Sequence, residues 1–459
     1  MTTFARAIDA VESFTSPRIT GEVSAVSGLS LYVKDFPAPL GTACHVLPRY
    51  AERVEAQVVG FRGGETILMP LTDMAGIAPG ARVVCRDAEQ RVGVGHLLLG
   101  RVIDGMGRPT DGRGELFCDD YYPVHRPAPD AMTRLRIDEP IATGVRAIDA
   151  VTTVGRGQRL GIFAGTGVGK SVLMGMIARY TAADVIVVAL VGERGREVRD
   201  FLDKDLGAEG LARSVVVVST SDQSPLLRTR ACFVATAVAE YFRDQGKNVL
   251  LLMDSLTRLA MAQRQIGLTA GEPPATKGYP PSVFGMLPPL VERCGRTAGG
   301  SITGFYTVLV EGDDLTEPVA DAVRGLLDGH LWLSRGLASR AHWPAIDVLE
   351  SISRVMNDIV DDDHQAAARM IRRNLATYAE IEDLVNIGAY AKGTTPHFDL
   401  TIAAKPLIDA FLQQNVADGM TLADMTGRLQ QLADQVRKIA REVGADKPDA
   451  AGTPVRGET

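Results

Sequence analysis

The stretch that decides the fold is RLGIFAGTGVGKS, residues 159–171. Its first part, Arg159–Phe163, is an apolar run that predicts a buried strand, and a helix is expected to begin near Ser171. A strand, a glycine-rich loop and a helix in this order are the context of a phosphate-binding P-loop. Ala164 stands where this motif usually begins with glycine, and alanine is small enough for that position.

The composition of the loop explains how it would hold a nucleotide. Glycines have no Cβ, so consecutive backbone N–H groups can turn towards phosphate oxygens, and the helix N-terminus adds partial positive charge. Lys170 is expected to contact the β- and γ-phosphates of ATP, and the Ser171 hydroxyl is expected to bind Mg²⁺. The predicted nucleotide-binding residues of the loop are Gly165, Thr166, Gly167, Val168, Gly169, Lys170 and Ser171.

Two further apolar runs end in carboxylates. Val249–Met253 is followed by Asp254, and Glu193 comes soon after Val185–Val191. The carboxyl ends of parallel strands meet at one edge of a sheet, so both side chains should lie beside the P-loop. Asp254 is expected to hold Mg²⁺ through water, and Glu193 to orient or deprotonate an attacking water. The alternative for each is a residue that only caps the next helix.

The chain divides into three regions of different texture. From Thr20 to Cys85, short β-rich runs between Gly, Pro and Asp turns predict a small barrel or sandwich. From Val151 to Arg354, buried strands alternating with helices predict an α/β domain with a mostly parallel sheet. From Ile359 onward the pattern is helical. The predicted domains are a partner-binding helix (1–19), a β-barrel (20–95), a nucleotide-binding α/β domain (96–365), a helical domain (366–445) and a disordered tail (446–459).

Composition and charge exclude several classes of protein. The 459 residues are 46% apolar and 23% charged, which is typical of a globular chain. The longest apolar run is Val185–Val191, whereas a membrane-spanning helix needs about 20 residues. The net charge of −7 disfavours a protein that coats nucleic acid. Five widely spaced cysteines and the lack of a signal-like N-terminus favour the reducing cytoplasm.

Two amphipathic segments each leave two interpretations open. Phe4, Ile8 and Val11 share one face of a predicted N-terminal helix, which either docks on its own chain or binds a partner. Apolar residues recur at heptad spacing over Leu422–Ile439, which predicts either a helix packed on its own domain or a coiled coil with a partner.

Four motifs occur in a characteristic order: the P-loop, GERGRE at Gly192–Glu197, LMDSLTR at Leu252–Arg258 and PAIDVLESISR at Pro344–Arg354. Together they resemble the catalytic subunits of the rotary ATPases. The resemblance covers the chain from about residue 20 to 440. It implies a RecA-like P-loop core between the small barrel and the helical domain.

Within that superfamily the chain resembles the ATPases of type III protein export. The resemblance is carried by VEGDDLTEPVAD at residues 310–321 and by LDGH at Leu327–His330, where ATP synthase β subunits have a different, alanine-rich sequence. GAYAKG at Gly388–Gly393 and FLQQ at Phe411–Gln414 look more like the flagellar enzymes than the injectisome enzymes. The implied function is an ATP hydrolase that forms a homohexameric ring and energises protein export.

The resemblance also implies roles for individual residues. The catalytic set is Lys170, Glu193 for water attack, Arg194 and Arg258 near the γ-phosphate, and Arg354 as an arginine finger inserted by a neighbouring subunit. Glu197 would support the site. Trp343 would stack on adenine, where the family more often has Tyr, and Tyr390 would form the other side of the adenine site.

The partners implied by the resemblance are further copies of the chain, a dimeric regulator on the N-terminal helix, a central stalk protein, an export gate, chaperones and exported proteins. The implied location is the cytoplasm, with peripheral attachment to the inner membrane at the export apparatus. Two alternatives share the P-loop core: an ATP synthase catalytic subunit, and a hexameric RNA translocase with a run similar to Asp254–Ala260. A near-neutral barrel region and the acidic chain disfavour RNA as a ligand.

Overall fold

The computed structural model describes residues 19–86, 90–310 and 317–445. The predicted N-terminal helix and the tail from residue 446 lie outside the described residues. A closed β-barrel, a mixed α/β region and a helical region follow one another along the chain, which confirms the predicted fold class. Within the described ranges, no helix combines the length and apolar character needed to cross a bilayer.

The barrel has six strands, with the antiparallel neighbour order β1–β2–β5–β4–β3–β6. Alternating side chains such as Leu31 and Val33 are fully buried inside it, because successive residues of a strand face opposite sides. Met69 and Leu71 pack against Leu226 and Ile266, which joins the barrel to the α/β region. The strands are β1 (Thr20–Ser27), β2 (Ser30–Lys34), β3 (Ala43–Leu47), β4 (Val54–Arg62), β5 (Glu65–Pro70) and β6 (Arg82–Cys85).

The α/β region is built on a nine-stranded sheet with the order β17–β16–β10–β15–β13–β11–β12–β8, in which β14 also pairs with β15. β17 and β14 run antiparallel to their neighbours, and the other pairs are parallel. A separate ribbon joins β7 to β9. The strands are β7 (Arg91–Val94), β8 (Val102–Asp104), β9 (Asp120–Pro123), β10 (Arg159–Ala164), β11 (Val185–Val191), β12 (Ser214–Ser219), β13 (Asn248–Asp254), β14 (Gly295–Thr297), β15 (Gly300–Leu309), β16 (Gly329–Leu333) and β17 (Ile346–Ser353).

Both faces of the sheet are covered by helices, which explains why its strands are apolar throughout. Along β11, Ile186 and Val188 enter one apolar core, and Val187 and Ala189 enter the other. The helices of this region are α1 (Arg146–Val151), α2 (Lys170–Tyr180), α3 (Gly195–Asp200), α4 (Gly207–Ala212), α5 (Pro225–Asp244), α6 (Leu256–Ala270), α7 (Pro281–Val291), α8 (Pro318–Leu326), α9 (Arg335–Ser339) and α10 (Met356–Ile359), with a π-helical turn at Phe201–Leu206 and 3₁₀ turns at His96–Leu98, Ala131–Thr133 and Thr276–Gly278.

The helical region consists of α11 (Asp362–Asn386), α12 (Pro396–Leu412) and α13 (Leu422–Val443). The four central heptad positions of α13, Met425, Leu429, Leu432 and Val436, are buried in the same core as α1, α11 and α12. This confirms the interpretation of α13 as a helix packed on its own domain. The predicted domain boundary at residue 365 falls inside α11, because Asp361 caps that helix and starts it earlier; the other boundaries stay predictions.

A buried ion pair fastens the segment before the α/β core. Arg293, just after α7, donates to both carboxylate oxygens of Glu240 on α5 at 3.0 and 2.6 Å. Its third donor bonds the Val124 carbonyl at 2.8 Å. Both charged side chains are 1% exposed. Each charge is therefore tolerated only because the other, with the carbonyl, compensates it.

The substitution Glu240→Gln should destabilise the protein, because it leaves the Arg293 guanidinium buried without a counter-charge. We expect the free energy of unfolding to fall by about 3–5 kcal/mol, measured by denaturant titration. The matched control is Asp434→Asn, which breaks an exposed pair with Arg437 and should leave the midpoint nearly unchanged. Equal midpoints for the two variants would contradict this role of the buried pair.

Candidate nucleotide-binding and catalytic site

The P-loop connects the end of β10 to the start of α2. Gly167 and Gly169 have φ angles of 78° and 84°, in the left-handed region that suits glycine. Thr166 and Ser171 are exposed at this edge, whereas Val168 is buried beneath the loop. The loop therefore presents its backbone and the start of α2 at the surface, as the sequence predicts.

Lys170 lies between the two predicted carboxylates. Its ammonium is 2.5 Å from Asp254 Oδ1 and 3.6 Å from Glu193 Oε1. Parallel pairing of β10, β15, β13 and β11 places the carboxyl ends of these strands side by side. Asp254 is the last residue of β13, Glu193 follows the end of β11, and Lys170 follows the loop after β10. The register of the sheet thus brings together groups that are far apart in sequence.

Asp254 is held by a residue that the sequence did not single out. The Thr307 hydroxyl, on the neighbouring strand β15, donates to Asp254 Oδ1 at 2.6 Å. Asp254 is 4% exposed and Thr307 is fully buried. The Thr307 hydroxyl and the Lys170 ammonium therefore both bond the same carboxylate oxygen, Oδ1, and together they fix the orientation of the carboxylate.

The electrostatics of the cluster raise the pKa values of both Glu193 and Lys170. Burial raises the pKa of Glu193 to about 7, and the nearby Asp254 charge and a hydrogen bond with Glu197 add to this effect, while Lys170 and Arg258 oppose it. Burial disfavours the Lys170 ammonium, but Asp254 and Glu193 outweigh it, so the pKa of Lys170 is raised.

Two of the predicted arginines differ in their surroundings. Arg258 packs against Gly192, whose Cβ position would lie 3.0 Å from the Arg258 Cβ. Its Nε is buried and has no hydrogen-bond partner among the described residues. Arg194 is 82% exposed and lies 3.4 Å from Glu197. Arg194 therefore lies at the outer side of the cluster, where it contacts Glu197 and not the buried groups at the centre.

Arg354 lies at the end of the sheet where the parallel strands begin, opposite to the end that carries the P-loop. Ala164, which leads into the P-loop, pairs with Leu333 on β16. The Arg354 N–H instead bonds the carbonyl of Asp328, which comes five residues before Leu333. At about 3.3 Å per residue the two levels are about 16 Å apart. The exposed Arg354 side chain therefore cannot reach the P-loop of its own chain.

Trp343 lies against the P-loop, and Tyr390 does not. The Trp343 ring is so close to Gly169 that a Cβ there would lie 2.8 Å from a ring carbon, and 41% of Trp343 is exposed. Tyr390 donates its hydroxyl to Thr395 and Asp399 at the start of α12. Trp343 accepts from the N–H of the second residue after α12, and this 17-residue helix spans about 25 Å. The structure thus does not bring the predicted pair together within one chain.

Comparison with known proteins places this site in a family. Residues 144–353 match the nucleotide-binding domain of the ATP synthase alpha/beta family, and residues 360–431 match the C-terminal domain of the type III secretion ATPase EscN. The flagellum-specific ATP synthase of Pseudomonas aeruginosa is 51% identical over 440 residues, covering 94% of this chain and 98% of that protein. The chain belongs to the type III export ATPases.

Two further relatives support the same family. The type 3 secretion system ATPase of Xanthomonas euvesicatoria is 52% identical over 395 residues, covering 86% of this chain and 89% of that protein. The assembled EscN of enteropathogenic E. coli, solved in complex with its central stalk EscO, matches with a TM-score of 0.83 and 42% identity, covering 90% of this chain and 99% of that chain. The chain is accordingly an ATPase, with the RecA-like core that the resemblance implied.

The roles of the individual site residues stay predictions, and they lead to an expected pH dependence. Because the Glu193 pKa is raised to about 7, the carboxyl is protonated below that pH and cannot accept a proton from water. We expect kcat/KM for ATP to rise about tenfold per pH unit below pH about 7 and to level off above it. Steady-state kinetics with ATP in the presence of Mg²⁺ measures this profile.

The control for this pH profile is Glu193→Gln, which keeps the shape of the side chain but cannot accept a proton. We expect it to bind ATP, to hydrolyse it about 10²–10⁴-fold more slowly, and to lose the step in the pH profile. The Kd of Glu193→Gln for ATP, measured across the same pH range, shows separately how the ionisation of ATP affects binding. A wild-type profile that is flat through pH 7, or one that Glu193→Gln retains, would exclude Glu193 as the base.

Proposed function

We propose that this chain is the ATPase of a type III protein export apparatus of the flagellar kind, acting as a homohexameric ring. One observation carries the proposal: the Lys170, Asp254 and Glu193 cluster and the exposed Arg354 stand at opposite edges of one sheet. A chain built in this way has one half of a shared site on each side. Identical copies can complete each other's sites in a closed ring.

In the proposed reaction, the γ-phosphate of ATP takes over the Lys170 ammonium from Asp254 and Glu193. Glu193 then accepts a proton from water, whose oxygen attacks the γ-phosphorus as the β–γ P–O bond breaks. ADP and phosphate leave the site. The Arg258 guanidinium, packed beside Gly192 at the same edge, is positioned to receive the charge that develops on the transferred group.

Mg²⁺ fits the oxygen donors at this edge. The exposed Ser171 hydroxyl and the Asp254 carboxylate would hold it, and the ammonium bound to Asp254 indicates that this carboxylate accepts a cation. No cluster of three or more acidic, His or Cys ligands occurs among the described residues, which is consistent with an ion bound mainly by phosphates and water. The ion would neutralise charge on the phosphates.

The proposed contact for the adenine base of ATP is Trp343. Its ring adjoins Gly169 and is partly exposed, so it offers an aromatic face beside the loop that would hold the phosphates.

The flagellar assignment rests on the sequences at Gly388–Gly393 and Phe411–Gln414. Proposed partners are a central stalk protein, a regulator at the N-terminus, an export gate, chaperones and exported proteins, with the ring attached peripherally at the inner membrane.

Mixing two inactive variants tests whether the site is shared. Lys170→Ala removes phosphate neutralisation and Arg354→Ala removes the finger, so each homogeneous ring should lose activity, by about 10³–10⁵-fold for the finger. In mixed rings, an Arg354→Ala chain beside a Lys170→Ala chain forms one site with both groups intact. We expect part of the ATPase rate to return, with a maximum near equal proportions.

Mixed rings must be demonstrated independently, for example by capturing one tagged variant and detecting the other. The matched control for Arg354→Ala is Arg369→Ala, an exposed arginine of α11, which should retain the wild-type rate. No recovery in rings shown to be mixed would argue against a shared site, and a normal rate for folded Lys170→Ala would remove the P-loop assignment itself.

The proposed regulator contact predicts the effect of removing residues 2–16, where Phe4, Ile8 and Val11 form an apolar stripe in the sequence. An apolar stripe favours a partner that covers it, by about 25 cal/mol per Å² buried. We expect the truncated chain to keep or increase its basal ATPase rate and to lose binding to the dimeric regulator in pull-down. Retained binding would place the contact elsewhere, and loss of folding would make the stripe part of the core.

A further inference from the structure

The segment between α12 and α13, residues 413–421, contacts two parts of the nucleotide site. We call it the connector. At one end its Gln414 N–H donates to the carbonyl of Trp343 at 2.8 Å. Further along, the Val416 carbonyl accepts from the Tyr180 hydroxyl at 3.0 Å, and Tyr180 is the last residue of the P-loop helix α2. The helical region thus touches both Trp343 and the far end of α2.

Gln414 makes three hydrogen bonds through its side-chain amide, with both N–H groups donating and the oxygen accepting once. Its Oε1 accepts from the Arg146 N–H at 2.8 Å, and its Nε2 donates to the carbonyls of Gly144 and Asp418, at 2.8 and 2.6 Å. The side chain is 5% exposed. It therefore fixes the turn before α1 and the turn of the connector to each other, and its backbone fixes Trp343.

Tyr180 is enclosed by the same two turns. A Cβ on Gly144 would lie 2.2 Å from the Tyr180 Cβ, and a Cβ on Gly419 would lie 2.1 Å from its ring. The Arg179 guanidinium also donates to the Val416 carbonyl, at 3.3 Å. The two glycines allow the backbone to approach the end of α2 more closely than any side chain would permit.

We propose that Gln414 is a positioning residue that holds Trp343 at the base side of the nucleotide site and couples the helical region to α2. The inference rests on the proposed role of Trp343 in base binding. Gln414 itself contacts no reacting group, because its side-chain amide bonds Arg146, Gly144 and Asp418. We expect its effect to fall on binding of the adenine base rather than of the phosphates, because the connector contacts Trp343 and the C-terminal end of α2, whereas the P-loop precedes the N-terminal end of that helix.

The test substitution is Gln414→Met, which keeps the length of the side chain and removes all three amide hydrogen bonds. The matched control is Gln431→Met on the exposed face of α13. The chain has two tryptophans, Trp332 and Trp343. Both substitutions are therefore made in a Trp332→Phe background, in which Trp343 is the one remaining tryptophan and its fluorescence reports its surroundings. Tyr180→Phe, which removes only the bond to Val416, serves as a milder second variant.

Three quantities are compared: the Kd for ATP from Trp343 fluorescence, the Ki of inorganic tripolyphosphate, which has no base, and kcat at saturating ATP with Mg²⁺. For Gln414→Met we expect the Kd and KM for ATP to rise about tenfold, with the tripolyphosphate Ki and kcat within about twofold of the control. Tyr180→Phe should change the Kd for ATP in the same direction by a smaller factor. The Trp343 emission of the free protein should also shift.

The outcomes separate this inference from the proposed function. If Trp343→Ala raises the KM for ATP but Gln414→Met and Tyr180→Phe keep the KM of the control, the positioning role is wrong and the adenine contact stands. If Trp343→Ala itself leaves the KM for ATP unchanged, the adenine contact is wrong and the inference falls with it. An equal loss of affinity for ATP and for tripolyphosphate in Gln414→Met would show that Gln414 does not act on the adenine base alone. A lower thermal stability with an unchanged Kd for ATP would show that Gln414 has only a structural role.

Discussion

The common direction of the parallel strands is the constraint on which the rest of the structure depends. β10, β11 and β13 all run the same way, so the P-loop, Glu193 and Asp254 leave the sheet at one edge. The reversal between β16 and β17 returns the chain to the other edge, where Arg354 follows. The proposed catalytic carboxylate, Glu193, and the proposed finger, Arg354, therefore cannot serve the same site unless a second copy of the chain supplies one of them. The proposed ring follows from the polarity of the sheet.

In the cluster beside the P-loop, one ammonium lies between two carboxyl groups. Lys170 compensates Asp254 and Glu193 where water is largely excluded, and Thr307 fixes the orientation of Asp254. The burial that makes this arrangement necessary also raises the pKa of Glu193 to about 7, which suits a base near neutral pH. Phosphates that draw Lys170 away would leave a buried carboxylate that readily takes a proton. The ion pairing and the raised pKa of Glu193 thus share one cause, which is the burial of charged groups at the carboxyl ends of the strands.

The sequence was sufficient for features that depend on local pattern. Glycine spacing predicted the P-loop, and the apolar runs ending near Glu193 and Asp254 predicted their common edge. It could not indicate the contact of Thr307 with Asp254, or more of Gln414 than its place in a family motif. A hydroxyl within a strand and an amide in a connecting segment carry no periodic signal, and their contacts arise only in the tertiary structure. Tyr390 was expected at the adenine site from resemblance alone, whereas the length of α12 separates it from Trp343 within the chain.

The most direct test of the shared site is the ATPase rate per chain as a function of protein concentration, with the fraction of assembled rings measured in the same samples by single-molecule mass measurement. An isolated chain has Lys170 and Glu193 but no arginine from a neighbour, so its rate should be lower by orders of magnitude, about 10³-fold or more. We expect the rate per chain to rise in proportion to the fraction in rings. A rate per chain that stays constant on dilution into the monomer range would contradict the account.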